Sequence, residues 1–298
     1  MFERSDPEFD VKTGVSLIIV TYFTGEDIFT CLDHALSDPL TCEIILIDNG
    51  SNDHDVRRFK ALEAKYPQLI YVSGHGNIGF GKAVNLGATY ARFDYIAILN
   101  PDAFLQKDTL SHLIDAHPLG QSPCIVGARI MNTDGTEQRG GRRGEISPVT
   151  TLVSLLRLKR FLPILSRYEM HLHDQPLPDA PVAMPTISGA CFLMLRQDFA
   201  KMNGFDPAFF LHVEDVELCW RARKMGGSVI FQPKAEVIHV GHTSLVDPVF
   251  VEKHKGRGLI YFFNKRSDTL WRKIYLLFLT PLIVAVSWLR AVGRSKRH

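Results

Sequence analysis

The sequence predicts an α/β protein built on a mostly parallel sheet flanked by helices. Two observations predict it. The first hundred residues alternate short apolar runs rich in β-branched residues with segments of helical spacing. The ends of those apolar runs carry polar or aromatic side chains, as they do where an open α/β sheet holds a ligand outside the carboxyl ends of its strands.

Taken in order, strands are expected at Val15 to Tyr22, Glu43 to Asp48, Leu69 to Val72 and Tyr95 to Asn100. Between the first two, Ile28, Leu32, Ala35 and Leu36 recur at helical spacing, and Val56, Phe59, Leu62 and Ala64 do so less cleanly before the third. The alternation breaks down from Gly127 to Pro185, in a Gly- and Arg-rich loop, a mixed apolar and basic stretch (Leu152 to Tyr168) and a Pro-rich run. Order returns with a strand at Ser188 to Leu195, a short helix at Gln197 to Met202, a helix after Asp215, and strands at Val229 to Phe231 and Val237 to Val240. No internal repeat is visible.

Ile274 to Leu289 is a run of sixteen residues without a charge, bounded by Arg272, Lys273 and Arg290. As a helix it would reach roughly 24 Å, short of the ~30 Å hydrocarbon core. Lying on a membrane suits it better than spanning one, and burial against the domain is the alternative.

With 298 residues, 46% of them apolar and 22% charged, the chain can bury a full core and disorder is not expected. A net charge of +2 gives no argument for a nucleic-acid partner. The cysteines Cys31, Cys42, Cys124, Cys191 and Cys219 form no C-x-x-C pair and read as reduced core residues. The acidic start MFERSDPEFD lacks the basic and apolar regions of a signal peptide, so the chain is expected in the cytoplasm.

Four segments could carry chemistry. Gly76 to Ala83 fits G-x-x-x-x-G-K, but the next position is Ala83, which has no oxygen for magnesium, so a phosphate-binding loop of the nucleotide-hydrolase kind fails there. A glycine turn into a helix, or a nucleotide-facing loop with Asn77, Lys82 and Asn85, remains. Asn100-Pro101-Asp102 ends an apolar strand, where an exposed carboxylate suits Mg²⁺ or Mn²⁺ on a diphosphate, although the same triplet also makes turns and helix caps. Glu214 and Asp215 open a helix on which Val216, Cys219 and Trp220 share a face and Glu217 and Arg221 pair on the outside. A carboxylate there could take a proton from a bound hydroxyl, or simply cap the helix. His239 and His242 flank Gly241 after the last strand and could face a metal or phosphate.

Together these residues resemble the inverting glycosyltransferases of family 2 with the GT-A fold, especially the rhamnosyltransferase-like branch. The matching pieces are VSLIIVTY, EIILIDNGSND, GNIGFGKAVNLG, ILNPDA, ISGACFLMLR, GFDPAFFLHVEDVELCWRARKMG and VIHVGHTS, spread in order from Val15 to Ser244. The resemblance implies that Thr21 and Tyr22 line the nucleotide base and that Asp48 bonds the base or ribose, with Asn49, Ser51 and Asp53 beside it. Asn77, Gly79 and Asn85 would shape the donor loop, and Ser188 and Gly189 would lie near the donor sugar. Asp102 would ligate a divalent metal, with Asn100 where the family's Asp-x-Asp motif begins with Asp, and His239 would reach the metal or diphosphate. Asp215 would be the general base and Glu214 its neighbour in the Glu-Asp motif.

The implied reaction moves a sugar, L-rhamnose from dTDP-rhamnose ahead of UDP-sugars, onto a lipid-linked or polysaccharide acceptor of the cell envelope, with inversion. The implied layout is a catalytic domain over residues 1–250, split near 126 into nucleotide and acceptor halves. A helical, apolar and basic segment over 251–298 would hold the chain peripherally on the inner face of the cytoplasmic membrane. A non-catalytic nucleotide- or glycan-binding relative is the rival reading.

Overall fold

The computed structural model describes residues 14–156, 158–241 and 248–267, together with positions 281 and 285. The expected tail from Arg272 to His298 therefore lies outside the described residues but for those two positions, as do His242 to Ser244.

The sheet begins with four parallel strands in the order β3 (Leu69–Val72), β2 (Thr41–Asp48), β1 (Val15–Thr21) and β4 (Tyr95–Leu99). β1 and β2 are buried along their whole length, which is why their sequences read as unbroken apolar runs rather than alternating ones. Helices α1 (Asp27–Ser37) and α2 (Asp53–Lys65) cover one face, where Ile28, Leu32 and Phe59 join Leu17, Ile19 and Leu46 in the core. Helix α3 (Phe80–Ala88) covers the other, with Ala83 and Val84 against Ile18, Ile45 and Ile47. Gly87 is required for that approach, because a Cβ there would lie 2.7 Å from the Ile18 side chain.

Beyond β4 the sheet becomes mixed. Strand β5 (Ala103–Leu105) leads into α4 (Thr109–Ala116) and β6 (Cys124–Met131), and a two-residue strand β7 (Arg142–Arg143) precedes α5 (Pro148–Leu155). Strand β8 (Val182–Ala183) lies on the far edge, β9 (Thr186–Ile187) pairs with β7, and β10 (Cys191–Leu195) inserts antiparallel between β4 and β6. After α6 (Arg196–Lys201) and α7 (Glu214–Lys224), β11 (Ser228–His239) runs parallel to β6 and antiparallel to β5. The two expected last strands are thus one, continuous through a register shift between Gln232 and Glu236 that accommodates Pro233.

Helix α8 (Pro248–Lys265) packs Leu259, Phe262 and Phe263 against Val216 and Phe209 of the α7 region, and the residue-250 boundary falls within its first turn. Beside them, Glu217 departs from the expected outside position. It is fully buried and bonds both Arg221 and Lys265, at 2.7 and 2.8 Å, because α8 lies over the face that the sequence of α7 alone leaves to solvent. All five cysteines are free and buried.

Candidate active site

The carboxyl ends of β1, β2 and β4 meet at one rim of the sheet. Thr21 is buried there with its hydroxyl 3.1 Å from that of Thr24, and the half-buried Tyr22 ring packs edge-on against Phe23. Asp48 is held by three protein donors: its Oδ1 accepts the Gly50 N–H and the Ser51 hydroxyl, and its Oδ2 accepts the Tyr71 hydroxyl at 2.7 Å. Asn49 donates its amide to the Gly79 carbonyl, while its buried Oδ1 meets no donor among the described residues.

The loop before α3 is fixed from both sides. Asn77 Oδ1 accepts the Gly79 N–H at 3.0 Å, and the Phe80 N–H donates to the Phe210 carbonyl. Gly79 has φ +85°, and a Cβ there would lie 2.6 Å from the Phe210 oxygen, so glycine is needed for both conformation and space. Asn85 spends both ends of its amide on the Phe205 backbone at 2.8 Å, tying the 205 segment to α3 rather than facing the rim.

At the end of β4, Asp102 is buried and its Oδ1 lies 3.1 Å from His239 Nε2 at the end of β11. His239 Nδ1 lies 2.7 Å from Gln138 Oε1, and the Gln138 amide in turn donates to the His239 carbonyl, so the ring is oriented by a second layer of contacts. With Nδ1–H donating to Gln138, the Nε2 lone pair faces both the Asn100 side-chain amide, which donates to it at 3.2 Å, and the Asp102 carboxylate. That is a donor set of one hard oxygen and one imidazole, which fits a divalent cation completed by diphosphate oxygens and water. Asp27, at the start of α1, adds a third group nearby: burial, and then the charge of Asp102, push its carboxyl upward. No group of three or more such side chains in metal-binding geometry exists among the described residues.

Asp215 stands on the second residue of α7. His212 and Val213 before it both adopt left-handed backbone, φ +65° and +75°, a strained conformation for a β-branched residue that aims the helix start at the rim. Asp215 Oδ2 accepts the Gly189 N–H at 3.0 Å and pairs with the Arg143 guanidinium, while Oδ1 accepts the Val216 N–H at 2.8 Å. A Cβ on Gly189 would lie 3.0 Å from that of Asp215. Burial alone would raise the Asp215 carboxyl, but Arg143 and the two N–H groups hold it below its ordinary value. Glu214 behaves oppositely. Burial and the adjacent Asp215 charge push it up to about 8, and its Oε2 has no partner among the described residues.

The two poles are joined by one short crossing. The Ala190 carbonyl accepts the Asn100 N–H beside Asp102, and the neighbouring Gly189 donates to Asp215, while the Ser188 hydroxyl accepts the Ala190 N–H. Two adjacent residues, Gly189 and Ala190, thus tie the segment that carries Asp102 and the helix start that carries Asp215 to the same crossing.

The sequence reading did not single out Arg143, Gln138 and Asp27. Arg143 and Gln138 belong to the stretch between Gly127 and Pro185, where no periodicity signals which side chains turn inward. A carboxylate at a helix start, as Asp27 is, reads first as an ordinary dipole partner.

A profile described as "Glycosyl transferase family 2" matches residues 16–202. The chain is 26% identical over 279 residues to the N-acetylglucosaminyl-diphospho-decaprenol L-rhamnosyltransferase of Mycobacterium tuberculosis, covering 86% of each chain. It is 25% identical over 247 residues to the rhamnosyltransferase WbbL of Escherichia coli, covering 76% of this chain and 84% of that one. Its fold superposes on the mannosyltransferase PcManGT of Pyrobaculum calidifontis, solved with GDP-Man and Mn²⁺, at a TM-score of 0.58 and 17% identity, over 98% of this chain and 77% of that one. The fold is GT-A, and with a family profile over most of its length, the chain belongs to glycosyl transferase family 2 and is a glycosyltransferase.

Proposed function

We propose that this glycosyltransferase moves L-rhamnose from dTDP-rhamnose to a lipid-linked acceptor, with inversion at the anomeric carbon. The observation that carries the chemistry is the Gly189–Ala190 crossing, whose adjacent residues bond Asp215 on one side and, through Asn100, the segment carrying Asp102 and its partner His239 on the other. Asp215 removes the proton from the acceptor hydroxyl. Its Oδ2 is occupied by Arg143 and Gly189, so the second lone pair of Oδ1 takes it. The acceptor oxygen then bonds to the anomeric carbon as the bond to the diphosphate breaks on the opposite face, and one displacement gives inversion. A divalent cation held by Asp102 and His239 would neutralise charge on the departing diphosphate.

Asn49 supports a thymidine or uridine donor. Its buried Oδ1 needs a donor, and the imide N–H of thymine or uracil supplies one. Two relatives named rhamnosyltransferases, one of them acting on a diphospho-decaprenol sugar, support the sugar and the acceptor class. In this reading the enzyme works on the inner face of the cytoplasmic membrane in cell-envelope glycan synthesis. Incubating the full chain with Mn²⁺, a panel of dTDP-, UDP- and GDP-sugars and polyprenyl-diphosphate-linked N-acetylglucosamine tests this. Transfer from dTDP-rhamnose, giving a product of inverted anomeric configuration, is expected. Preference for another donor would replace the sugar assignment, and a retained configuration would end the single-displacement mechanism.

A further inference from the structure

The segment between Glu145 and Glu169 is an excursion whose two ends are fastened together beside the catalytic carboxylate. The Gly144 N–H donates to the Met170 carbonyl and the Leu172 N–H to the Arg142 carbonyl, so the excursion leaves from and returns to β7, the strand whose Arg143 grips Asp215. Its inner side is anchored: Val153, Thr151 and Ser154 are buried, and the Ser154 hydroxyl donates to Glu169 at 2.6 Å. Its outer side is apolar and uncovered. Phe161 is 74% exposed, Ile164 69% and Leu162 54%, with Val149 and Leu156 near 40%. Ordinary surfaces scatter such side chains singly, whereas here they concentrate in one short stretch.

Charge selects the occupant. From Ile146 to Tyr168 the sequence holds no Asp or Glu but has Arg157, Lys159, Arg160 and Arg167. Arg160 and Arg167 are exposed beside the apolar side chains. Large apolar groups interleaved with cations fit an anionic bilayer surface, where the rings enter the headgroup boundary and the guanidinium groups meet lipid phosphates. The C-terminal sequence suits this patch poorly as a cover, since Arg272, Lys273, Arg290, Arg294, Lys296 and Arg297 give it the same sign of charge. A second copy of the excursion would bring like charges together as well.

We propose that the exposed surface around Phe161, Leu162 and Ile164 docks on an anionic lipid bilayer and so presents a lipid-linked acceptor to the Asp215 side of the cleft. This rests on the acceptor reading above. The surface is separate in sequence from the C-terminal apolar stretch, and two attachments are what stable peripheral anchoring requires.

All five native cysteines are buried, so Phe161→Cys in the full chain can be labelled selectively with an environment-sensitive nitrobenzoxadiazole dye. Vesicles of phosphatidylglycerol and phosphatidylcholine should raise and blue-shift the emission several-fold, vesicles of phosphatidylcholine alone should not, and raising salt from 0.1 to about 0.5 M should reverse it. A triple variant, Phe161→Ser, Leu162→Ser and Ile164→Ser, should bind anionic vesicles about tenfold more weakly in flotation. Its transfer to a short-chain, water-soluble acceptor should match the parent. Dye emission unchanged while the full chain floats with vesicles would assign attachment to other residues and overturn the proposal. Emission already blue-shifted without lipid would mean a cover of protein, a second copy if it fades on dilution and the chain's own tail if it does not. Lipid-dependent dye insertion in an enzyme that ignores lipid-linked acceptors would leave the surface standing and remove the acceptor reading instead.

Discussion

The two halves of the molecule are built by different rules. From β1 to β4 the chain is organised mainly by apolar periodicity, with strands rich in buried apolar residues and helices with one apolar stripe; Glu43, fully buried in β2 and bonded by Ser16 and Arg92, is the exception. From β7 to α8 it is organised by buried charge. Arg142 is 2% exposed yet bonds Glu137 through two nitrogens and the Gln175 carbonyl, Glu217 is fully buried between Arg221 and Lys265, and Arg143 holds Asp215. The first arrangement tolerates substitution wherever volume and pattern persist. The second does not, because each buried ion depends on a particular partner and removing one partner leaves the other unpaired. Activity should therefore fail at the charge-built side first.

The sharpest test of that contrast is Asp215→Asn. Asparagine keeps the size and can still accept the Gly189 N–H, so the fold and donor dissociation constant should persist while single-turnover transfer falls about 10²- to 10⁴-fold. Near-normal turnover would move the base elsewhere and erase the functional difference between the halves. Next is Asp102→Ala, at the end of a pattern-built strand. It should cost on the order of 10²-fold in metal-stimulated rate and raise the Mn²⁺ concentration needed for half activity. If that variant recovers to within a few-fold at saturating Mn²⁺, His239 and Asp27 suffice for the cation.

The same contrast explains what could be read from the sequence. Strands Val15–Thr21, Thr41–Asp48, Leu69–Val72 and Tyr95–Leu99 coincide with the expected runs to within a residue or two: burial on both faces leaves an apolar signature in the central strands, and the partly buried edge strand Leu69–Val72 was legible from its apolar, β-branched composition. β6 was missed although Cys124–Met131 is equally buried, since Gly127 and Arg129 break the run and the irregular stretch that follows masks its end. The glycine serves packing: a Cβ on Gly127 would lie 2.5 Å from Ile187. Asp102, His239 and Asp215 were legible as candidates from strand-end and helix-start positions, and the structure brings them around one crossing. Arg143 was not legible. Nothing in a Gly-Arg-Arg-Gly sequence says that the first arginine is buried structurally and the second reaches a carboxylate 72 positions away.

Arg143→Gln isolates that long-range contact. Besides Arg143, the charged and titratable groups around Asp215 are Glu214 beside it and Cys219 one turn on, with Arg223 near Cys219 and His171 across the β-bridge from Arg143. In the parent, Arg143 keeps the Asp215 carboxyl depressed, so Asp215 stays ionised well into acid. Without it burial dominates and the carboxyl rises, so the acid limb of kcat/KM should move to higher pH, with a loss of roughly tenfold near pH 6 that narrows as pH rises. The contact also contributes stability above the unfolded carboxyl's pKa, about 3.9, that disappears as pH falls through the depressed folded value, and the variant should lack it. Arg143→Lys should restore most of the limb. A uniform loss at every pH would reduce Arg143 to a structural strut.

Glu214→Gln should have the smallest effect on turnover and is the finest probe of why two adjacent carboxylates differ. Glu214 titrates at about 8 against an ordinary 4.5, so in the folded protein it remains protonated where the unfolded chain has released its proton. Below 4.5 both states hold the proton and nothing is lost. Between 4.5 and 8 the folded state binds more protons than the unfolded one, so stability declines as pH rises. Glutamine is the neutral isostere of the protonated side chain and escapes that decline. The variant should therefore nearly match the parent in Tm at pH 4.5 and exceed it by on the order of 10 °C at pH 8, with turnover within a few-fold. A pKa near working pH is also what a general base would have, and Glu214 Oε2 has no partner among the described residues. A dead Glu214→Gln beside an active Asp215→Asn would exchange the two assignments. What argues against the exchange is access: Glu214 is buried, whereas Asp215 is partly exposed and is held by the Gly189 N–H at the crossing.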